Sequence, residues 1–590
     1  MDRLQPVYTE TATCRDCYKC VRECPVKAIR VAEGRASVVG ELCVLCGHCV
    51  EVCPVGAKKV RSDVDRAKAI VGLKKRVLLS LAPSFASEFP GIEEGRLVAA
   101  LRSLGFAAVS ETALGADLVS QATARGLEAL GRAPEGRPRV LVSTACPVVV
   151  DYIEKYRGEL AGLLSTSCSP MLAHARFLKK EGAAGCAVVF AGPCVAKKRE
   201  ADGSGGTVDA AITFRGLRTW LEESGIDLSA PGTSLPGGRE PRAEDRFTPG
   251  RASKGALYPV DGGMIASVKR AAPELEAHYV SCSGLVEIDR ALDGIAEYRG
   301  EVPLFLELLA CEGGCVNGPR AERRSGLVAK RLSVLEYARD AAEDCPAAGR
   351  GLDLDEERKA RPVVAEALPE ERIREALRLV GKQRPEDELD CSGCGYDSCR
   401  AFAAAMLTGR AERTMCVSYT RDLAQKKADA LVRAMPSGVV VVDAGLEIAE
   451  CNANFAALLG PEAQAVYEAK PGMAGADLRK LAPFADLFAA VLAEGGPDYL
   501  DRDLRLGNRI LHASVFSIES GAYAGGVFQD VTVPWIRRDR VVAQAKSVID
   551  RNLRTVQKIA YLLGENAADT ENILESLISS FSVESEGEAR

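Results

Sequence analysis

The sequence predicts a multidomain chain of mixed α/β and α+β class, and three observations carry that expectation. Residues 1–62 hold two near-copies of one cysteine-rich pattern, in a segment too small to rest on an apolar core alone. From 63 to about 345, short apolar strand-like runs alternate with amphipathic helical stretches, the pattern of α/β layers. Beyond a further cysteine group, residues 426–536 read turn, apolar strand, turn, strand, helix, and then alternating strands.

Length and composition bound the rest. A chain of 590 residues with 47% hydrophobic content has material for several packed cores. A net charge of −6 without a basic stripe argues against general nucleic-acid binding. No run of about 18 apolar residues is present, and "MDRLQPVYTETATCRDC" lacks the apolar core of a signal peptide. A cytoplasmic location is therefore expected. The 21 cysteines are too sparse for a small disulfide scaffold and too tightly spaced for chance, so they read as metal or cluster ligands. With only four histidines, sulfur ligation favours iron–sulfur clusters or structural zinc.

The first repeat, "CRDCYKCVRECP", supplies Cys14, Cys17, Cys20 and Cys24; the second, "CVLCGHCVEVCP", supplies Cys43, Cys46, Cys49 and Cys53. This is the two-cluster ferredoxin spacing, in which the fourth cysteine of each run crosses to the other 4Fe–4S cluster. The expected sets are Cys14, Cys17, Cys20 and Cys53, and Cys43, Cys46, Cys49 and Cys24. A pair of zinc knuckles is the alternative.

In residues 63–345, cysteines fall at the ends of strand-like runs, where loops of α/β folds carry function. Cys146 follows "VLVSTA", Cys194 follows "AVVFAGP", and Cys311 and Cys315 follow "PLFLELLA". Four thiols drawn from three strand ends suit a 4Fe–4S cluster. The two glycines of "CEGGC" allow a tight turn and a close approach to a bulky cofactor.

"STACP", "AGPCVAKKRE" and "ELLACEGGCVNGP", in that order behind a ferredoxin segment, resemble the three active-site motifs of the iron–iron hydrogenases. "LAPSFASEF", "CSPMLAHARFLKK", "DAAITFRGL" and "YPVDGGMIASV" resemble further family stretches, so the likeness spans residues 1 to about 345. It implies that Cys146, Cys194, Cys311 and Cys315 bind the 4Fe–4S part of an H-cluster. Cys315 would also bridge to a two-iron unit carrying CO, cyanide and a bridging dithiolate. Lys197 matches a lysine that hydrogen-bonds one cyanide, and Ala82, Pro83 and Ser84 match the loop meeting the other. Glu200 matches the glutamate of the second motif, as a functional group or as an ion-pair partner.

The departures from the family are informative. Its catalytic members carry a proton-relaying cysteine where this chain has Ala145, and "ADLVSQATARGL" lacks the relay glutamates. Gly192 and Leu309 replace two methionines. Losing a positioned proton carrier typically costs about 10²–10⁴ in rate, or ~3–5 kcal/mol of barrier. Cys168 stands as a substitute relay or as a buried inert thiol.

Residues 346–384, charged and rich in Ala and Pro, read as a linker. The segment 385–425 supplies Cys391, Cys394, Cys399 and Cys416, resembling the four-cysteine 4Fe–4S module of corrinoid and related redox proteins; zinc is the alternative. Residues 426–536 resemble a PAS sensor domain. In it His512 lies in a strand pattern and is not expected to bind haem, and Asn452 and Asn454 read as turn and capping residues. From 537 to 581, Val541, Val548, Leu553, Val556, Ile559 and Leu563 lie near helical spacing, expected as a dimer seam or as packing on the chain's own sheet.

Chain order and Ala145 together resemble the sensory group of iron–iron hydrogenases. The expectation is slow heterolytic H2 cleavage, with redox state passed through iron–sulfur clusters to the PAS domain and a separate phosphatase, kinase or regulator. A slow ferredoxin-linked metabolic hydrogenase, and an iron–sulfur relative without the two-iron unit, are the alternatives.

Overall fold

The computed structural model describes residues 5–563, except 75, 133, 135–137, 182–184, 229–240, 323–324, 344–350 and 364–366. The chain divides into two compact units, residues 1–419 and 420–590.

The first unit opens with four short strands: β1 (Val7–Thr9), β2 (Ile29–Ala32), β3 (Arg35–Val38) and β4 (Lys58–Val60). β1 pairs with β4 and β2 with β3, both antiparallel. Each cysteine repeat contains a one-turn helix, Lys19–Arg22 or His48–Glu51. Each helix is entered through a left-handed residue, Tyr18 (φ 55°) or Gly47 (φ 79°). These reversals fold successive thiols inward over a handful of buried aliphatics, among them Val7, Val21 and Ile29.

Seven strands follow: β5 (Val77–Leu81), β6 (Ala108–Glu111), β7 (Val140–Val142), β8 (Ala187–Gly192), β9 (Ala210–Thr213), β10 (His278–Ser283) and β11 (Leu304–Leu309). They form two parallel sheets, ordered β6-β5-β8-β9 and β10-β11-β7. β5, β8, β9 and β11 are buried at every residue, which is why they read as unbroken apolar runs. The α/β expectation holds, with one refinement: the cysteine-bearing strand ends belong to two sheets. β7 and β11 end in one, β8 in the other.

His174, on the helix Pro170–Glu181, ties that helix to the larger sheet. Its Nδ1 lies 2.7 Å from Ser80 Oγ of β5 and its Nε2 2.9 Å from Ser110 Oγ of β6. Gly115 permits the close crossing of the long helix Ala113–Gly131, since a side chain there would meet Pro170 O at 2.2 Å.

The stretch expected as a linker is not free. Leu354 O accepts from Cys168 N at 2.7 Å, and Thr166 O from Glu356 N at 2.7 Å. Arg361 then pairs with Asp151 at 2.9 Å and with Glu154. Residues 352–363 thus form a strap over the domain, held by one buried leucine and by arginines answering carboxylates. The helix Glu370–Arg378 departs further from a linker. It packs Ala376 and Leu377 against Cys399 and Ala403 of the helix Cys399–Leu407, so the four-cysteine module begins before residue 385. Its charges hid the helical spacing of Ile373, Ala376, Leu377 and Val380.

In the second unit, β12 (Gly438–Asp443), β13 (Ile448–Cys451), β14 (Tyr499–Leu506), β15 (Arg509–Glu519) and β16 (Tyr523–Asp530) form one antiparallel sheet ordered β13-β12-β16-β15-β14. Phe528 anchors its core, with ring centroids 4.6 Å from Phe484 and 5.4 Å from Phe455. Asn452 caps the helix Ala453–Leu459, accepting from Phe455 N and Val439 N, both at 2.9 Å. Asn454 instead donates to Met435 O. His512 stands on the outer face of β15 between Asp501 and Asp503. A single helix runs Thr532–Leu563. On it Val541 and Val548 are exposed and Leu553 partly buried; the side chains of Val556, Ile559 and Leu563, and residues 564–581, lie outside the described residues.

Burial alone lowers the His174 imidazole from 6.5 to about 3. The folded state keeps it neutral while the unfolded chain binds a proton below about 6.5. Its contribution is therefore complete above pH 6.5 and falls by up to about 1.4 kcal/mol per unit as pH drops toward 3. Denaturant unfolding at stepped pH should show that slope in the native protein and not in His174→Gln.

Candidate functional site

One cavity of about 100 Å³ lies where the two parallel sheets face each other, and the thiols of Cys146, Cys194, Cys311 and Cys315 all line it. Cys146 stands at the head of the helix Pro147–Tyr156, just beyond β7. Cys194 leaves β8, and Cys311 leaves β11. Gly313 (φ 75°) and Gly314 (φ 98°) then reverse the chain to bring Cys315 back. A side chain at Gly314 would meet Pro259 O at 2.3 Å. Both glycines of the "CEGGC" turn are thus required by conformation, as the spacing suggested.

Burial sets the electrostatics. It pushes the Cys194 thiol up to about 11 and those of Cys311 and Cys315 higher still, with the neighbouring thiols adding to the effect. Cys194, Cys311 and Cys315 therefore stay protonated unless a cationic group is present to stabilise the thiolates.

Lys197 lines the cavity and pairs with Glu200 at 2.7 Å, both largely buried. Its neighbour Lys198 points elsewhere, to Asp63 at 2.7 Å and Ala211 O at 2.9 Å. Ala82, Pro83 and Ser84 form a further wall, fixed to β8 by Ala82 N donating to Ala191 O. Ala145 also faces the cavity, its N–H held by Ser143 Oγ, which in turn donates to Met264 Sδ. Gly192 leaves room for the Phe190 ring, 2.6 Å from where its side chain would begin, and Leu309 is part of the lining. Cys168 is fully buried but does not line this cavity, and burial raises its thiol to about 12. Of its two readings, the inert thiol fits this placement.

Sequence reasoning passed over Glu307, the one carboxylate in the lining. It accepts from Met264 N and Ile265 N, both at 3.1 Å, and burial raises it to about 7. An acid inside the apolar run "PLFLELLA" was the available signal. Tyr258, which shares a hydrogen bond with Ser120 at 2.9 Å, was also missed.

The N-terminal thiols gather in the two crossed sets. Cys20 is influenced by Cys17, Cys14 and Cys53; Cys49 by Cys46, Cys43 and Cys24. The second set abuts the cavity, because Cys46 lines it. The adjoining Gly47 presses on Pro319, whose Cβ lies 2.6 Å from the position a side chain would take. Tyr156 donates to Leu42 O at 2.6 Å, and Lys155 and Arg199 to Cys43 O at 3.0 and 3.1 Å. Cys391, Cys394, Cys399 and Cys416 line a separate small cavity. Among the described residues no three His, Cys, Asp or Glu side chains converge as a single metal ion requires. Thiolates around a polynuclear cluster need no such convergence. No helix of the described residues is long and apolar enough to cross a membrane.

Two parallel sheets flank a thiol-lined cavity, and the second of the crossed cysteine sets abuts it. Residues 75–319 match the iron only hydrogenase large subunit, C-terminal domain; 6–54 match a 4Fe-4S dicluster domain; 387–418 match a putative Fe-S cluster family. The chain is similar to the NADP-reducing hydrogenase subunit HndD of Solidesulfovibrio fructosivorans, 28% identical over 51% of this chain and 60% of that one. It is also similar to the cytosolic Fe-S cluster assembly factor NAR1 of Encephalitozoon cuniculi, 26% identical over 39% and 64%. It thus spans less than two thirds of either relative. Among solved structures, a variant of [FeFe]-hydrogenase HydA1 from Chlamydomonas reinhardtii aligns over 47% of this chain and 88% of its own, at 21% identity and a TM-score of 0.37. The chain is thus similar to iron-only hydrogenases over residues 75–319 and to iron–sulfur families over 6–54 and 387–418.

Gly314→Ala should close the turn onto Pro259 O and displace Cys315. Iron uptake by the four-thiol cavity should fall while the ferredoxin-type signals persist, as read by iron analysis and electron paramagnetic resonance after anaerobic reconstitution.

Proposed function

We propose that this chain is a hydrogen-sensing FeFe hydrogenase of low turnover. The observation that carries the reading is Ala145, which faces the cavity beside Cys146 and places no ionisable group where a proton must leave. When bound, an H-cluster supplies reversible heterolytic cleavage of H2. Cys146, Cys194, Cys311 and Cys315 would hold its 4Fe–4S part, and Cys315 would also bridge to the two-iron unit with its CO, cyanide and dithiolate. Lys197, which pairs with Glu200, would hydrogen-bond one cyanide, a charge-assisted contact of more than ordinary strength. Pro83 and Ser84 would meet the other. Glu307 is held by two backbone N–H groups and so is a fixed acceptor rather than a swinging carrier. Proton exit is therefore slow, and the protein reports on hydrogen more than it consumes it.

The remaining parts support a sensor. Electrons would pass from the cavity to the ferredoxin-type clusters and the Cys391–Cys416 cluster. The second unit would read the redox state; its strand order β13-β12-β16-β15-β14 supports a PAS domain. Output would reach a separate phosphatase, kinase or regulator, with the exposed Val541 and Val548 supporting a homodimer through the terminal helix. A ferredoxin would serve as external redox partner, in the cytoplasm. The likeness to a cluster assembly factor favours a second reading, an iron–sulfur protein without the two-iron unit. Lys197 in the cavity and the intact turn to Cys315 weigh against it.

Infrared spectra of anaerobically matured protein should contain CO and cyanide bands; a spectrum without them would remove the two-iron unit and leave the second reading. Ala145→Cys should raise hydrogen turnover, but by less than the 10²–10⁴ a complete relay supplies, since the relay glutamates are also absent. Full recovery to the rates of relay-containing enzymes would contradict the proposed sensor.

A further inference from the structure

The four-cysteine module is docked on the N-terminal domain, and the place of docking bears on how electrons reach it. Val31 N donates to Arg410 O at 2.9 Å. Gly395 (φ 92°) lies against the short helix Lys19–Arg22, where a side chain would come within 2.9 Å of Arg22 N and 3.0 Å of Val21. Cys24 follows that helix directly. The next residue of the module, Tyr396, is only 3% exposed and packs in one cluster with Cys24, Cys394 and Phe402. Two thiols act on its phenol, Cys394 of the module and Cys24 of the N-terminal domain, and Arg410 opposes them. The Tyr396 hydroxyl is buried and has no hydrogen-bond partner among the described residues. Buried hydroxyls are rarely left unpaired, so the position points to an acceptor that the described residues themselves do not supply.

Cys24 belongs to the set with Cys43, Cys46 and Cys49, and Cys46 lines the hydrogen-site cavity. We propose that the Cys391–Cys416 cluster exchanges electrons directly with this inner cluster, bypassing the outer one at Cys14, Cys17, Cys20 and Cys53. Tyr396 is the positioning residue at the crossing, its O–H left to donate to what the Cys24 set or the Cys394 set would hold. The inner cluster is thus a fork, with one branch to the outer cluster and the protein surface and the other to the module that precedes the second unit. Each transfer oxidises the inner cluster by one electron and reduces the module cluster by one, with no bond made or broken. The inference rests on reading both thiol sets as 4Fe–4S sites. The rival route runs through the outer set, which the module also approaches, since Thr414 hydrogen-bonds the Tyr18 phenol beside Cys17.

The test uses the full chain reconstituted anaerobically with iron and sulfide and reduced with dithionite, without the two-iron unit. Neighbouring reduced clusters broaden each other's paramagnetic resonance and speed its relaxation. The module signal, identified by its loss in Cys391→Ser, should keep that interaction in Cys17→Ser, which disables the outer cluster, and lose it in Cys46→Ser. Tyr396→Phe should keep the iron content and lower the midpoint potential of the inner or the module cluster, leaving the outer one unchanged, because hydrogen bonds to cluster sulfur raise potentials. An interaction that survives Cys46→Ser and disappears in Cys17→Ser would overturn the fork, as would unchanged potentials in Tyr396→Phe. If Cys391→Ser removes zinc rather than iron, the cluster reading of the module itself fails, and metal analysis separates that outcome from the others.

Discussion

The constraint on which this architecture turns is the burial of thiols. Cys194, Cys311 and Cys315 sit where the low dielectric disfavours their ionised form, and neighbouring thiols make the ionisation of each harder. Such a constellation is poorly suited to free nucleophilic chemistry and well suited to a cationic cluster that draws off the protons. Much of the first unit follows from serving it. Parallel sheets on two sides deliver the sulfurs from strand ends. Left-handed glycines at 313 and 314 let the chain return without side-chain bulk. The second N-terminal thiol set is pressed against the wall by hydrogen bonds from Tyr156, Lys155 and Arg199.

Charge is handled separately on either side of the cavity. Inside, Lys197 is matched by Glu200, and Glu307 by two backbone N–H groups, so neither stands as an isolated buried ion. Outside, Lys198, Asp63, Arg61 and Asp202 form a network that joins the end of β4 to the helix Ala196–Gly203. Removing one member of such a network leaves the others uncompensated, so its role is to hold register between the domains more than to add stability. Consecutive lysines therefore do opposite jobs: Lys197 belongs to the site and Lys198 to the scaffold.

What was legible in the sequence was legible for physical reasons. Thiolate spacing in the N-terminal repeats is dictated by cluster geometry, so the crossed sets could be read before any fold was known. Buried parallel strands announce themselves as apolar runs, and their ends marked Cys146, Cys194, Cys311 and Cys315. The membership of those ends in two different sheets was not legible, because no local pattern encodes strand order. Glu307 was hidden because an acid within a strand gives no sign of the backbone donors that will satisfy it. Residues 352–378 were misread for the opposite reason. High charge resembles solvated chain, yet there the arginines find carboxylates on the domain surface, and the helix Glu370–Arg378 buries a narrow apolar edge on the module.

The strap has a consequence for how the protein is made. Asp151 and Glu154 lie on the helix that begins at Cys146, yet Arg361, the cation that answers Glu154, is more than two hundred residues later. A nascent chain that has just passed Cys315 holds all four cavity thiols but not this clasp. Tyr156 and Lys155 already tie this helix to the N-terminal domain, and residues 352–363 add the last fastening, at Asp151 and Glu154. A protein cut at residue 345 would carry the pocket without this clasp.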